Sequence, residues 1–537
     1  MAAIVYHKCK KTGITYAYES ISHWDKEKQQ SRAKRKCIGK LDPETGEIIP
    51  TRKQKLSGLL EKSEKRIVPG QVPVTETARY FHGATHLFDN IGKQIGLTED
   101  LKRCFPETYK QIQSIAYFLI LEDNNPLSRF PKWSSLHKHP YGKDIPSQRS
   151  SELFAGITEE SREYFFRLQG KRRAENEYWA YDTTSISSYS QCLKQVKYGV
   201  NKEHDVLPQI NLALLFGEES NLPFYYRKLS GNIPDVKTVK NLLADISFLD
   251  YKKVKLVMDR GFYSESNINE LYKNHLKFIV AGKNSLRFIQ EELNNCREEL
   301  RSWPNYSPLH KVYGKTVTTT WNYTQERPYK KDNIKGERRM YIHIYFNIEK
   351  AAEDEGRHNT LLATLQGEIM SGACKKEHEH LYVKFFDINT TPVRGIQITP
   401  KQDAMNEARK NFGYFSLISN EVKEPFEALR IYRNKDLVEK AFGNLKDRLN
   451  FRRTLVSSDL SLDGKLFVEF IALIYLSYIK KHMTDKKLFE KYTMQELLDE
   501  FDVIECFEQK GCEKRWGEIT KKQAELFTAL GVVSPSL

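Results

Sequence analysis

The sequence predicts an α/β protein: a mixed-sheet core interrupted by a β-rich insertion, with basic and helical regions before it and a helical region after it. Three observations predict this. Residues 177–284 read in the order β-β-β-α-β-α-β. The first and fourth of these strands run into an acid, Asp182 and Asp259. Beyond a long interruption, a strong helical pattern from about 432 to 450 carries a third acid, Glu439.

The elements follow in chain order. Residues 1–70 form a basic N-terminal domain, in which strand-like pieces ("GITYAYES", "RKCIGKL") alternate with turns such as "DPETG". "VPGQVP", residues 68–73, reads as a linker. Residues 75–176 form a helical region, as in "TYKQIQSIAYFLILE". The core opens at 177–284. "EYWAYDTTSIS" is a strand ending near Asp182, and "LPQINLALLFG" and "LPFYYRKLSGN" are two more, joined by "EES". "PDVKTVKNLLADISFL" is an amphipathic helix with Pro at its start. "VKLVMD" is the fourth strand, "SESNINELYKNH" a helix capped by Ser264, and "LKFIVAG" the fifth strand. Residues 285–410 begin helical and continue as the strands "KTVTTTWNYT", "RRMYIHIYFNI" and "EHLYVKFFDI". Residues 411–455 return to the core with the strand "GYFSLISN" and the Glu439 helix, and 456–537 read as helical.

Composition narrows the class. The chain has 537 residues, 39% hydrophobic and 12% aromatic, enough for several cores. Its net charge is +15, and residues 1–70 hold 16 Lys and Arg against 8 Asp and Glu, over half of the excess. Such an arm suits a polyanionic partner, nucleic acid first, or serves as a solubilising tail. "MAAIVYHKCKKTG" lacks the apolar core of a signal peptide. "LFVEFIALIYLSYI", residues 466–479, is too short to span a bilayer and contains Glu469, so it reads as a buried helix and no membrane partner is expected. The eight cysteines show no C-x-x-C pair, and Cys374, His378 and His380 lack a fourth ligand at zinc spacing, so a reduced, cytoplasmic protein is expected.

The acids can be read two ways. Asp259 caps the following turn or pairs with Arg260, or else it projects from the strand end to hold a metal. If the first and fourth strands are neighbours, Asp182 and Asp259 lie side by side and can share divalent cations. On a 3.6-residue helix, Tyr432, Lys435 and Lys446 stand at −7, −4 and +7 from Glu439 and share its face. Leu437, Val438, Ala441, Phe442, Leu445 and Leu449 cover the opposite side. The stripe is either a solvated face with an ordinary Lys435–Glu439 ion pair, or part of a site.

Here the chain resembles a known family. Tyr432, Lys435, Glu439 and Lys446 match Y-x2-R-x3-E-x6-K, the signature of bacterial insertion-sequence transposases of the family-four type, with Lys435 where that group has Arg. "YDTTSIS" and "DRGFYS" resemble its two Asp motifs, and the likeness runs from 177 to 450. The strand order fits an RNase H-like core. The 180 residues between Asp259 and Glu439 fit its β-rich insertion.

The resemblance implies a DDE transposase, an RNase H-like polynucleotidyl transferase with Asp182, Asp259 and Glu439 as the catalytic, metal-holding acids. It implies two Mg²⁺ ions, for which Mn²⁺ can substitute, with Asp182 bridging both. Carboxylates suit Mg²⁺, and paired ions can activate the nucleophile and stabilise the leaving oxygen. Water would free a 3′-OH at the element end, and that 3′-OH would attack target DNA, with a hairpin on the excised end. The implied partners are duplex DNA with terminal inverted repeats, target DNA and a second copy in a homodimeric synaptic complex, at the bacterial nucleoid. Tyr432, Lys435 and Lys446 would bind DNA, as would Arg448, Arg452 and Arg453 at the end of the helix, with base-reading contacts sought in the basic arm and the helical region 75–176. Trp321 is the candidate platform for a flipped base, or else a core aromatic of its β unit. A related nuclease without joining, or a transposase-derived DNA-binding protein, is the alternative.

Overall fold

The computed structural model describes residues 2–10, 12–25, 30–43 and 45–49, and then 77–535 apart from 124, 174–176, 191, 203–204, 250, 252–253, 327–332, 392–394, 450–455, 457 and 510. The 68–73 linker, Arg452 and Arg453 therefore lie outside the described residues. The chain forms two compact units, Met1–Pro73 and Val74–Leu537.

In the first unit, β1 (Ala2–Lys8), β2 (Thr15–Asp25), β3 (Gln30–Leu41) and β4 (Ile48–Ile49) make one antiparallel meander in sequence order. Its tightest point is where β4 crosses Gly39. A Cβ there would collide with the Ile49 backbone, and Ala17 beside it is fully buried.

The second unit opens with β5 (Thr77–Phe81) and a run of helices from Gly83 to Arg173. The central sheet begins with β6 (Trp179–Ser187), β7 (Gln209–Gly217) and β8 (Pro223–Ser230). Helix Asp235–Phe248 leads to β9 (Lys255–Met258), and helix Glu265–Lys273, capped by Ser264, leads to β10 (Lys277–Gly282). This is the expected β-β-β-α-β-α-β order. β6, β7 and β8 pair antiparallel, whereas β9 runs parallel to β6 and β10 parallel to β9, so the spatial order is β8-β7-β6-β9-β10. β6 and β7 are buried at every residue, as strands covered on both faces are.

The stretch 285–410 is mixed rather than β-rich. It holds helix Arg287–Leu300, β11 (Tyr306–Ser307), β12 (Val312–Glu326), β13 (Asn333–Phe346), helices Ile348–Ser371 and Glu379–Phe385, a hairpin of β14 (Phe386–Thr391) and β15 (Gly395–Pro400), and helix Gln402–Arg409. "EHLYVKFFDI" is thus a helix before it is a strand. Tyr382 and Phe385, three residues apart, bury one helical face against Leu365 and Ile369. β12 and β13 extend the central sheet. β13 pairs with β16 (Tyr414–Ser419), and β16 with β10, completing nine strands in the order β11-β12-β13-β16-β10-β9-β6-β7-β8.

The expected 432–450 helix arrives in three pieces: helix Pro425–Asn434, helix Asp436–Gly443 with Lys435 at the joint, and a π-helical turn Asn444–Arg448. Val438, Ala441, Phe442, Leu445 and Leu449 are buried as expected, and the Leu437 side chain lies outside the described residues. The 466–479 run lies in helix Asp459–Asp485, which packs on helices Tyr109–Leu121 and Ser147–Ala155. β17 (Glu505–Gln509) pairs with both β18 (Arg515–Trp516) and β5. The helices before and after the sheet therefore share one core instead of forming separate regions. No described helix is long and apolar enough to cross a membrane.

Candidate active site

Strand register places the two aspartates. β6 and β9 run parallel with Trp179 opposite Leu256, Ala180 opposite Val257 and Tyr181 opposite Met258. The next residues along the two strands are Asp182 and Asp259. Asp182 does not end its strand as expected: it is the fourth of nine residues, because β7 keeps pairing with β6 as far as Ser187. What stops at Asp182 is the parallel neighbour. β9 ends at Met258, and Asp259 leads into the 3₁₀ turn Arg260–Phe262. Gly261 in that turn does not adopt a positive φ, so left-handed freedom is not its role.

Side chains alternate along a strand, so Val257 and Asp259 share a face. Val257 packs with Ala428, Leu429 and Ile431 of helix Pro425–Asn434. The same helix delivers Tyr432, whose hydroxyl donates to Asp259 Oδ1 at 2.7 Å. Asp259 therefore has a protein partner in this structure. One residue past the helix, Lys435 is 2% exposed, and its Nζ donates to Glu439 Oε1 at 3.0 Å. The i, i+4 pair is real but not a solvated one: the Lys435 side chain is 3% exposed while that of Glu439 is 60% exposed. Lys446 is buried in the π-helical turn.

The two aspartates are driven apart electrostatically. Burial pushes the Asp182 carboxyl above its ordinary range, against the pull of Lys202 and Lys435. Burial acts on Asp259 in the same sense, but the Tyr432 hydroxyl and Lys435 outweigh it and hold that carboxyl below its ordinary range. Burial disfavours the Lys435 ammonium, yet Asp182, Asp259 and Glu439 together raise its pKa.

Three further residues surround this pair that the sequence analysis did not single out, Lys202, Thr183 and Asp235. Lys202 Nζ lies 3.6 Å from Asp182 Oδ1 and 3.1 Å from Asp235 Oδ2, and donates to the Thr183 carbonyl at 2.6 Å and its hydroxyl at 2.8 Å. The Thr183 hydroxyl also donates to Asp235. Asp235 opens its helix directly after Pro234, and Thr183 follows Asp182 in the motif, so both were visible as local signals. Lys202 sits in the β6–β7 connection, where only the tertiary fold marks it. Beside Asp259 opens a groove of about 660 Å³, lined among others by Arg260, Lys283, Asn284, Lys350 and Tyr432.

Other expected DNA contacts stand elsewhere. The Trp321 indole donates to Asn269 at 2.8 Å and its ring meets Phe288 edge-on. Followed across the sheet, the row of Asp259 passes through Ala281, Leu417 and His343 to Thr316, five residues short of Trp321. Four strand spacings and five residues of rise put Trp321 roughly 25 Å from Asp259. In this structure it packs with the core of its β unit, away from the two aspartates. Arg448 donates to Gln495 at 2.6 Å and is half-buried, so its guanidinium turns to the C-terminal helices instead of outward.

The donors are of the kind a hard divalent cation takes, since Asp182 and Asp259 follow paired positions where β9 stops. Lys435 and Lys202 bring positive charge to the same place. Among the described residues, no three His, Cys, Asp or Glu side chains gather closely enough to hold an ion, and Glu439 is turned to Lys435. The fit is therefore that of two aspartates in place and a glutamate on the adjoining helix.

A family model described as the transposase DDE domain matches residues 178–475. Among solved structures, the chain is similar to the piggyBac transposase in a synaptic complex with hairpin DNA, at 11% identity and a TM-score of 0.35, over 75% of this chain and 70% of that one. No curated protein matches it.

Proposed function

The chain belongs to the transposase DDE domain family, and from that premise we propose that it is a DNA transposase acting on the ends of its own element. It binds terminal inverted repeats, cuts the phosphodiester backbone and joins the freed 3′-OH ends to target DNA. Asp182, Asp259 and Glu439 are its acids, on an RNase H-like core. The observation that carries this reading is the juxtaposition of Asp182 and Asp259 on adjacent parallel strands, beside the helix that bears Tyr432, with Glu439 on the next helix along the chain. The order β8-β7-β6-β9-β10 supports the core assignment. Divalent metal, Mg²⁺ by the chemistry of the donors, would supply nucleophile activation and stabilisation of the leaving oxygen.

The protein's own residues prepare that chemistry. Tyr432 fixes the Asp259 carboxylate by its hydrogen bond. Lys435 balances the acids in the free chain and passes to a DNA phosphate when the substrate arrives, releasing Glu439 toward the aspartates. A hairpin on the excised end and a homodimeric synaptic complex belong to the reading through the Tyr432-Lys435-Glu439-Lys446 signature.

The test uses Asp182→Asn, Asp259→Asn and Glu439→Gln. Each is expected to abolish Mg²⁺-dependent nicking of end DNA while DNA binding stays within a small factor of wild type. Wild-type cutting by any one of them overturns the triad. The exposed Glu439 favours a second reading, a chain that binds DNA without cutting it. Absence of nicking by the wild type would select that reading, and nicking without transfer of a labelled end would select a nuclease.

A further inference from the structure

The connection between β6 and β7, residues 188–208, exposes apolar side chains on a backbone that is firmly held. Tyr189 is 70% exposed, Tyr198 74%, Val200 91% and Val206 87%. Single exposed apolar side chains are ordinary on a protein surface. Four on one connection ask for a partner, because this connection is no loose tip. The Ser188 N–H donates to the Pro208 carbonyl at 2.8 Å, and Lys197 and Gln209 exchange both backbone hydrogen bonds at 2.9 Å. The Gln209 side chain, itself fully buried, donates to the Val200 carbonyl at 3.0 Å. Gly199 lies so close to Gly231 that a Cβ there would collide with the Gly231 carbonyl. Asn201 donates to the Ser187 hydroxyl at 3.1 Å. Buried partners thus fix the backbone, while Tyr198 and Val200 are turned out to solvent.

A groove of about 550 Å³ opens on this connection, lined among others by Tyr189, Ser190, Lys197 and Tyr198. Among its described lining residues, Lys197 is the only charged one. The nearby Asp205 carboxylate accepts from the Leu207 N–H at 3.3 Å, and Glu203 lies outside the described residues. The groove is joined to the acids along the chain. Lys202, four residues after Tyr198, places its Nζ 3.6 Å from Asp182 Oδ1. Ser188 stands six residues past Asp182, about 20 Å at the rise of a strand. That is the length of about six stacked nucleotides. An aromatic ring at the surface with a cation beside it suits an unpaired nucleotide, whose base stacks on the ring and whose phosphate meets the cation. A base inside a duplex has both faces covered by its neighbours and offers such a ring only an edge.

We propose that this groove binds an unpaired nucleotide of the DNA being processed, with its base stacked on Tyr198, Tyr189 as a second aromatic wall and its phosphate on Lys197. The proposal rests on the transposase reading and adds to it a site, about six nucleotides from the acids, that holds one strand apart from its complement. Stacking of this kind tolerates any base, so the site takes a class of DNA structure and not a sequence. Val206 is as exposed as the tyrosines but does not line the groove, which supplies a control on the same connection.

The experiment titrates the full-length chain with labelled oligothymidine and with a duplex of equal length. Tyr198→Ala should weaken binding of the single strand roughly five- to a hundredfold and leave duplex binding within a small factor of wild type. Tyr198→Phe keeps the ring and should keep the affinity. Lys197→Gln should weaken single-strand binding and flatten its slope of log affinity against log salt by about 0.7, the share of one phosphate contact. Val206→Ser should match wild type in both titrations. Unchanged single-strand affinity in Tyr198→Ala, equal loss for single strand and duplex, a loss in Tyr198→Phe as large as in Tyr198→Ala, an unchanged salt slope in Lys197→Gln, or a loss in Val206→Ser overturns the proposal. A change in sedimentation of DNA-free Tyr198→Ala would instead assign the tyrosines to a contact between copies, and overturns it too. Mg²⁺-dependent nicking of end DNA by wild type is read separately. Nicking by wild type with no effect of Tyr198→Ala on the single strand removes the groove's role alone. The expected affinity losses without nicking uphold the groove and remove the catalytic reading alone, and a wild type that binds neither DNA overturns both.

Discussion

Lys435 is the residue on which the site turns. Its ammonium is buried, raised in pKa by Asp182, Asp259 and Glu439, and hydrogen-bonded to the most exposed of the three. Lys435→Met leaves Asp182 and Asp259 without their nearest shared cation, and breaking such a buried arrangement costs about 2 kcal/mol or more. The variant should therefore unfold at lower denaturant in chelator, and Mg²⁺ should restore more stability to it than it adds to wild type, because ligand binding to the folded state stabilises it. Denaturant curves with and without Mg²⁺ decide; a variant indifferent to Mg²⁺ would mean that the acids do not gather metal. Lys435 also differs from Arg in offering a point charge to phosphate, not a planar fork. If it clamps the phosphate of the bent end, Lys435→Ala should slow hairpin formation more than the first nick on a denaturing gel, and equal slowing would remove the clamp. Tyr432 acts in the opposite sense on acidity. Its hydroxyl helps hold Asp259 below the ordinary carboxylate range, so Tyr432→Phe raises that pKa. Asp259 then protonates at higher pH, and the acid limb of the nicking profile should move upward in pH. An unmoved limb would show that Asp259 does not set it.

At the scale of elements, helix Asp459–Asp485 makes a prediction of its own. Glu469 on it is fully buried, and neither carboxylate oxygen has a hydrogen-bond partner among the described residues. Burial raises its pKa to about 8, with Lys465 pulling the other way from 3.7 Å. The folded state thus keeps a proton that the unfolded chain releases near its ordinary value of about 4.3. Stability from this group is full below that value and falls as pH rises toward 8, by up to about 1.4 kcal/mol per pH unit. Glu469→Gln should flatten that fall in denaturant unfolding between about pH 5 and pH 8. The run was legible in the sequence as a buried helix because apolar residues at every helical position admit little else. The five strands of the first core segment were legible for a similar reason, their short β-branched and aromatic runs being set off by turn residues. Local pattern failed where tertiary contacts decide. "EHLYVKFFDI" alternates, yet its aromatic side chains bury at helical spacing on a neighbouring helix. Asp182 reads as a strand end, yet β7 extends the strand beyond it. Lys202 has no local signal, since its partners are 20 and 33 residues away.

The chain comprises two units of different character. Val74–Leu537 has its own extensive core, from the helical layer through the central sheet, and the acids lie wholly within it. Met1–Pro73 has a slight core and a strong charge, with 16 of the chain's 85 Lys and Arg residues in positions 1–70. Its exposed β3 presents Arg32, Lys34, Arg35 and Lys36. Deleting residues 1–73 should therefore leave the second unit folded, with a cooperative unfolding transition and intact Mg²⁺-dependent nicking at high protein concentration. Affinity for end DNA should fall, and so should its steepness against salt. Each lost contact to duplex phosphate removes about 0.9 from the slope of log affinity against log salt. If the basic residues of β3 touch DNA, the slope should flatten by about 2 to 4. Titrations of one labelled duplex at a series of salt concentrations measure both slopes. Parallel lines for the two proteins would make the first unit a solubilising extension and return DNA recognition to the helices after β5.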